Sequence, residues 1–183
     1  GALATDSVML TNFPEEPRWQ ALRSILGELV DPSNRPSVLL YVLRFFLQHF
    51  ERAALFRLTD SDFVGIGGFS SREPNDQFLA RLQALRIAKS MDSILSLVER
   101  YRAPFQGPMP ETLANTKIAE TLGSLLQQET VALPLLMRGE VVAVVLADNP
   151  SGRVVSALPE LEIFLHQAGL ILEQSGLKAL QAS

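Results

Sequence analysis

The chain has 183 residues, of which 47% are hydrophobic and 20% are charged, and its formal net charge is −4. This length fits one domain, or one domain with helical extensions, and the net negative charge argues against a partner held through nucleic-acid phosphates. The absence of cysteine excludes disulfides, thiolate nucleophiles, thioether-linked cofactors and cysteine metal sites. We expect a cytoplasmic protein without a membrane partner, because the longest dense apolar stretch is too short to span a bilayer and no signal peptide is visible.

Two helices are predicted at the start of the domain. Residues 1–16 show no sustained period and are expected to form a lead-in, so that residues 17–183 make up a single domain. A narrow apolar stripe predicts a helix over residues 17–30 that packs against another helix. The stripe consists of Trp19, Leu22, Ile25, Leu26 and Leu29. A turn follows, and residues 36–50 predict a helix that is apolar nearly all round and is therefore buried on more than one side.

The next segment predicts two strands joined by a polar turn. Residues 52–58 form the first strand and residues 63–69 the returning strand. Gly65, Gly67 and Gly68 weaken the second strand, because glycine packs nothing and costs entropy. Two interpretations stay open: a twisted or bulged edge strand, or a backbone left bare so that a ligand or a helix can come close.

Residues 70–128 are the least regular part of the chain. They predict a short helix over 74–84, a brief strand at 85–87, a helix over 91–101, an extended stretch over 104–110 and a weak helix over 111–124. Irregular regions of this kind in compact domains tend to be functional or mobile.

The dominant pattern is a β-hairpin over residues 129–149. Two apolar runs, 130–136 and 141–147, flank a short loop that contains Gly139, which is typical of a hairpin. The second run is apolar at both odd and even positions, so both faces of this strand must be covered and the strand lies in the middle of a sheet. Pro134 cannot donate to a ladder, and we expect a local interruption of pairing there.

A long helix is predicted to close the chain. Ser156 suits its N-cap, and Pro159 and Glu160 suit its first turn. One apolar face suits packing on the sheet. A second set, spaced by sevens, suits a near-parallel partner helix; it consists of Ile163, Leu170 and Leu177.

This order of elements resembles a GAF domain. The stretch ETVALPLLMRGEVVAVVLADN, followed by LEIFLHQAGLILEQ, is similar to the GAF ending through Pro134, Leu135, Gly139, Asp148 and Asn149. The stretch LRIAKSMDSILSLVERYRAPFQG is similar to the family's middle strand, helix and strand. The resemblance covers about residues 36–174 and implies an α+β fold with a central antiparallel sheet of five to six strands and the N- and C-terminal helices on one face. A PAS domain is the alternative, but the two N-terminal helices and the long C-terminal helix favour GAF.

The residues of this chain match little of the ligand chemistry that the resemblance implies. Bilin attachment and the family's methionine sulfoxide reductases need cysteine, so both interpretations fail. Asn115, Lys117 and Glu120 only partly match the pattern of cyclic-nucleotide binders. His49 and His166 have no second ligand nearby in sequence, which argues against haem. We therefore expect no cofactor, no metal and no enzymatic activity.

The resemblance implies a regulatory or sensory module of a bacterial two-component or related signalling chain, such as a response regulator. We expect a homodimer joined to other domains of a longer protein, with a small molecule as a possible ligand. A ligand-free interaction module is the alternative. Pocket candidates between the sheet and residues 70–128 are Phe69, Leu85, Ile87, Ile94, Phe105, Val131 and Leu133. Dimer-interface candidates are Trp19, Leu22, Leu26, Leu29, Ile163, Leu170 and Leu177.

Overall fold

The computed structural model describes residues 36–124, 126–155 and 158–182. The predicted lead-in, the predicted helix over 17–30 and the expected N-cap at Ser156 lie outside the described residues. Every other predicted helix and strand is present, with boundaries shifted by a few residues at most. In chain order the elements are α1 (Pro36–His49), β1 (Arg52–Leu58), β2 (Asp62–Ser70), α2 (Asn75–Gln83), β3 (Arg86–Ala88), α3 (Ile94–Tyr101), β4 (Phe105–Pro108), α4 (Leu113–Leu122), β5 (Glu129–Met137), β6 (Glu140–Asp148) and α5 (Leu158–Ala182).

The strands form one six-stranded sheet in the order β3-β2-β1-β6-β5-β4, and all neighbours pair antiparallel. The predicted α+β fold is therefore confirmed, and β1 and β6 lie at its centre. The β5–β6 hairpin turns at Arg138 and Gly139, which both have positive φ angles of 54° and 76°. Two successive positive φ angles match the right-handed twist of the flanking strands, so the loop closes the hairpin without splaying it.

The sheet is buried on both faces. One face packs against α1 and α5, and its buried residues form what we call the helix-pair core. The other face packs against α2, α3 and α4, and its buried residues form the middle core. Alternation along β6 explains this division, because Val145 and Ala147 belong to the helix-pair core while Val144 and Leu146 belong to the middle core. The two-sided apolar pattern of this strand therefore predicted its position correctly.

The expected interruption of pairing at Pro134 is not at that residue. Pro134 pairs with Val144 in register, and the ladder shifts one residue later, between Leu135 and Leu136. On its other side β5 pairs with β4 only as far as Ala132. Pro134 thus lies where β5 has lost its second neighbour, and a missing N–H costs no ladder bond at a strand edge.

The glycine-containing strand β2 is both bulged and closely approached by another element, so both interpretations of its glycines apply. The β1–β2 register shifts between Leu55 and Phe56, so β2 is bulged. Strand β3 pairs only with residues 62–64 of β2, so the glycine-containing part of β2 lies at an edge among the described strands. A Cβ atom on Gly65 would lie 2.2 Å from the carbonyl oxygen of Leu82 in α2. Bare backbone at Gly65 therefore lets α2 approach the sheet, and this contact belongs to a helix rather than to a ligand.

Val144→Asp is expected to unfold the domain, because Val144 is fully buried. An unpaired charge there costs several kcal/mol, against a total stability of about 5–15 kcal/mol. Val154→Asp makes the same change at a side chain that is 77% exposed and should leave the thermal midpoint nearly unchanged. Thermal unfolding followed by circular dichroism compares the two, and equal midpoints would mean that β6 is not central.

Candidate functional site

The sheet separates the seven predicted pocket residues into two groups. Phe69, Val131 and Leu133 belong to the helix-pair core. The remaining four are on the opposite face, where Leu85, Ile87 and Ile94 are buried in the middle core and Phe105 packs partly against it. Strand side chains alternate between faces, so Val131 and Leu133 face α5 and not the 70–128 segment. The seven residues therefore do not line one cavity.

The middle core is densely filled at the place where the sequence predicted a pocket. The side chains of Phe56, Phe63 and Phe78 are fully buried between the sheet and the helices. A gap beside Arg52 on this face has a volume of about 10 Å³, which is at the lower limit of about 10–15 Å³ for a single water molecule. Aromatic side chains thus occupy this part of the middle core.

A buried ion pair closes one end of this face. Arg52 donates to both carboxylate oxygens of Asp148, over 2.8 Å from Nε and 2.6 Å from Nη2. Its Nη1 also donates to the carbonyl oxygen of Leu122 at the end of α4, over 3.0 Å. Both charges are compensated within the chain, and removing one partner of such a pair is strongly destabilising. We assign Arg52 and Asp148 a structural role that ties α4 to the centre of the sheet.

Further hydrogen bonds hold the middle helices to one another. Arg81 in α2 donates from Nε to the carbonyl oxygen of Thr121 in α4 over 3.1 Å, and it also pairs with Glu73. The hydrogen bonds from Arg81 are the main reason that the pKa of Glu73 lies below its ordinary value. These contacts connect α2 to α4 across the outer surface of the middle core.

The partial match to a cyclic-nucleotide pattern has a structural explanation at Asn115. Its side-chain oxygen accepts a hydrogen bond from the backbone N–H of Ile94 over 2.8 Å, and its amide nitrogen donates to the carbonyl oxygen of Pro110 over 2.8 Å. Asn115 is buried, and its amide is used to join the start of α3 to α4. The part of the chain that the structure describes contains no group of three or more His, Asp or Glu side chains placed to hold a metal ion.

A surface groove lies beside the part of β5 that β4 leaves unpaired, between this strand, α5 and the segment that follows α3. Its volume is about 390 Å³, which falls within the range of about 300–1,000 Å³ typical of ligand pockets. At its rim Arg102 is paired with Glu140 over 3.2 Å, but both side chains are mostly exposed, and such surface pairs contribute little. The groove is lined by Arg102, Pro104, Leu133, Pro134, Leu136, Glu162, Ile163, His166 and Gln167.

One end of the groove is set by a close contact between α5 and β5. A Cβ atom added to Gly169 would lie 2.1 Å from the carbonyl oxygen of Leu136. Only glycine permits this approach, so Gly169 fixes the distance of α5 from the strand. The glycine inside a helical pattern was the sequence signal for this contact, and the sequence interpretation passed over it.

The predicted dimer residues of α5 are exposed where the structure describes them. Ile163 is 61% exposed and Leu170 is 48% exposed, whereas Leu161, Leu165 and Leu172 are buried in the helix-pair core. We call Ile163, Leu170 and Leu177 the α5 stripe. The side chain of Leu177 and all of Trp19, Leu22, Leu26 and Leu29 lie outside what is described.

The fold is similar to those of several solved domains. The GAF domain of a GAF/HD domain protein from Geobacter sulfurreducens superposes with a TM-score of 0.63 at 17% identity, covering 83% of this chain and 98% of that one. The GAF domain of a phosphoenolpyruvate-protein phosphotransferase (ptsP) from Coxiella burnetii gives 0.58 at 17% identity, covering 91% and 98%. The GAF-B domain of DevS from Mycobacterium smegmatis gives 0.57 at 19% identity, covering 84% and 100%.

The chain has the GAF-domain fold. The resemblance inferred from residues 36–174 is confirmed at the level of fold, and the similar structures are domains of bacterial signalling proteins. No protein-family model and no curated protein matches the sequence. Within the described residues of this GAF fold, no helix has the length and apolar character needed to cross a membrane.

Gly169→Ala is expected to destabilise the domain although alanine favours a helix by about 1 kcal/mol over glycine. The new methyl group would meet backbone rather than a flexible side chain, and overpacking of this kind costs about 1–3 kcal/mol. The matched control is Gln167→Ala, an exposed position on the same helix. Urea unfolding measures both variants, and a gain in stability for Gly169→Ala would disprove the close contact.

Proposed function

We propose that this GAF domain is a non-catalytic regulatory module of a cytoplasmic bacterial signalling chain, and that residues 17–183 act as one unit that dimerises through its terminal helices. The observation that carries the proposal is the exposure of Ile163 and Leu170, the two described side chains of the α5 stripe, which lie outside both cores. Apolar residues that repeat every seven positions suit a near-parallel helical partner, and exposed apolar patches mark interfaces.

The similar structures support the regulatory part of the proposal. They include domains from a two-component sensor histidine kinase and from a methyl-accepting chemotaxis protein. In a longer signalling protein the GAF domain would be connected to other domains through its terminal helices. A change in the packing of these helices would therefore alter the position of the connected domains. A four-helix bundle built from the first and last helices of two chains has this geometry.

Under this proposal the domain either senses a small molecule or acts as a ligand-free interaction module. A sensory domain would need space beside the sheet, and the face covered by α2, α3 and α4 is filled by its own side chains. This packing favours the ligand-free interaction module. The groove between β5 and α5 is large enough for a small molecule, but it is open and its charged rim carries both signs.

Dimerisation is tested by Leu170→Glu combined with Leu177→Glu. Light scattering after size exclusion, at about 20 μM and thus far above a nanomolar dissociation constant, should give twice the 20.1 kDa mass of the chain for the wild type and the monomer mass for the double variant. The control replaces Leu113 and Val154, which are 82% and 77% exposed outside α5, by Glu and should remain dimeric. A monomeric wild type would refute the dimer, and a dimeric double variant would place the interface elsewhere.

A further inference from the structure

Two arginines hold unfavourable backbone conformations at one end of the domain. Among the residues that the structure describes, Arg102 and Arg138 are the only non-glycine residues with positive φ, at 53° and 54°. Arg102 is the left-handed residue that ends α3, and Arg138 is the first residue of the β5–β6 turn. Residues with a Cβ atom are disfavoured in this backbone region, and glycine or asparagine is usual at such helix ends and hairpin turns. The backbone of the fold would therefore be less strained with glycine or asparagine at both positions.

The two arginines lie on either side of one exposed carboxylate, and their side chains are little used by the chain itself. Nη2 of Arg102 donates to both carboxylate oxygens of Glu140, over 3.2 and 3.3 Å, and Glu140 follows Arg138 by two residues. Both side chains of this pair are more than half exposed, so the pair contributes little to stability. Nε and Nη1 of Arg102, and the exposed guanidinium of Arg138, have no hydrogen bond to a described residue. Most of these donors are therefore available to a partner outside the domain.

The neighbouring residues make this end of the domain basic and aromatic. Tyr101, the last residue of α3, is 66% exposed, and Arg100 before it is also exposed. We call Arg100, Tyr101, Arg102, Arg138 and Glu140 the hairpin-tip surface. Three arginines against one glutamate give this surface a net charge of +2, whereas the whole chain carries −4. The surface includes no residue of the α5 stripe, so it is distinct from the proposed dimer contact.

We propose that the hairpin-tip surface binds a short carboxylate-rich segment of a partner protein. The planar guanidinium group matches a carboxylate through two parallel hydrogen bonds, and Arg102 and Arg138 have the donors for such pairs. Tyrosine and arginine are also enriched at the energetically important positions of protein interfaces, and Tyr101 lies directly beside Arg102. A nucleic acid fits this surface less well, because its phosphates need many cations and the net charge of the whole chain is negative. Binding at this surface does not depend on dimerisation.

The test removes both arginines with substitutions that suit the backbone, Arg102→Gly combined with Arg138→Asn. The probe is a fluorescein-labelled oligoglutamate peptide, whose binding to the full chain is followed by fluorescence anisotropy at low ionic strength, where surface charges are weakly screened. The wild type should bind oligoglutamate but not oligoglutamine of the same length, and the double variant should bind oligoglutamate at least about five-fold more weakly. The matched control is Arg72→Gln combined with Lys117→Gln, which removes the same charge at two exposed positions elsewhere and should leave the affinity unchanged. Urea unfolding should give the double variant a midpoint equal to or above that of the wild type, because left-handed backbone no longer carries an arginine.

Four results would overturn the proposal. A wild type that does not bind oligoglutamate would show that the surface has no affinity for carboxylates. An equal loss of binding in the control variant would mean that the peptide responds only to the overall charge of the protein. Tighter binding of a single-stranded oligothymidylate, lost in the same double variant, would assign the surface to a nucleic acid. A lower urea midpoint for the double variant would show that the two arginines stabilise the fold itself. Light scattering on the same samples reports dimerisation separately, because these substitutions leave the α5 stripe unchanged.

Discussion

The fold depends on the burial of β6 on both of its faces. A strand with apolar side chains on both faces is stable only when a layer covers each face. Here α1 and α5 form one layer, and α2, α3 and α4 form the other. Arg52 secures the same centre, since it joins β1 to Asp148 of β6 and to the end of α4. The compact middle face and the helical outer face both follow from this constraint.

The two layers differ in what they leave accessible. The middle face uses Gly65 to bring α2 onto the sheet. Asn115 accepts a hydrogen bond from the Ile94 N–H and so joins α3 to α4, and Arg81 donates to the Thr121 carbonyl oxygen and so joins α2 to α4. The opposite layer ends in exposed apolar residues on α5 and an open groove beside β5. The described residues thus offer a helical surface for contacts, as the proposed function requires.

Local patterns predicted the helices and strands of the described residues and the central position of β6, because these follow from residue spacing and from apolar side chains on both faces of a strand. It could not assign pocket residues to faces, since Val131 and Leu133 face α5 only through the register of β5 with β6. The contact of Arg52 with Asp148 joins residues that are 96 positions apart, and no short-range sequence pattern reveals such a contact. The β5–β6 ladder passes Pro134 in register, and β4 no longer pairs with β5 at this position, so the missing N–H of proline removes no ladder bond there.

The middle face is packed with the chain's own side chains, and we expect it to hold no ligand. Native mass spectrometry of the protein purified from cells that naturally make it tests this expectation. Each protomer should have the mass of the polypeptide alone under gentle desolvation. A stoichiometric small molecule that stays bound to the protomer, and is released when the protein is unfolded, would contradict it.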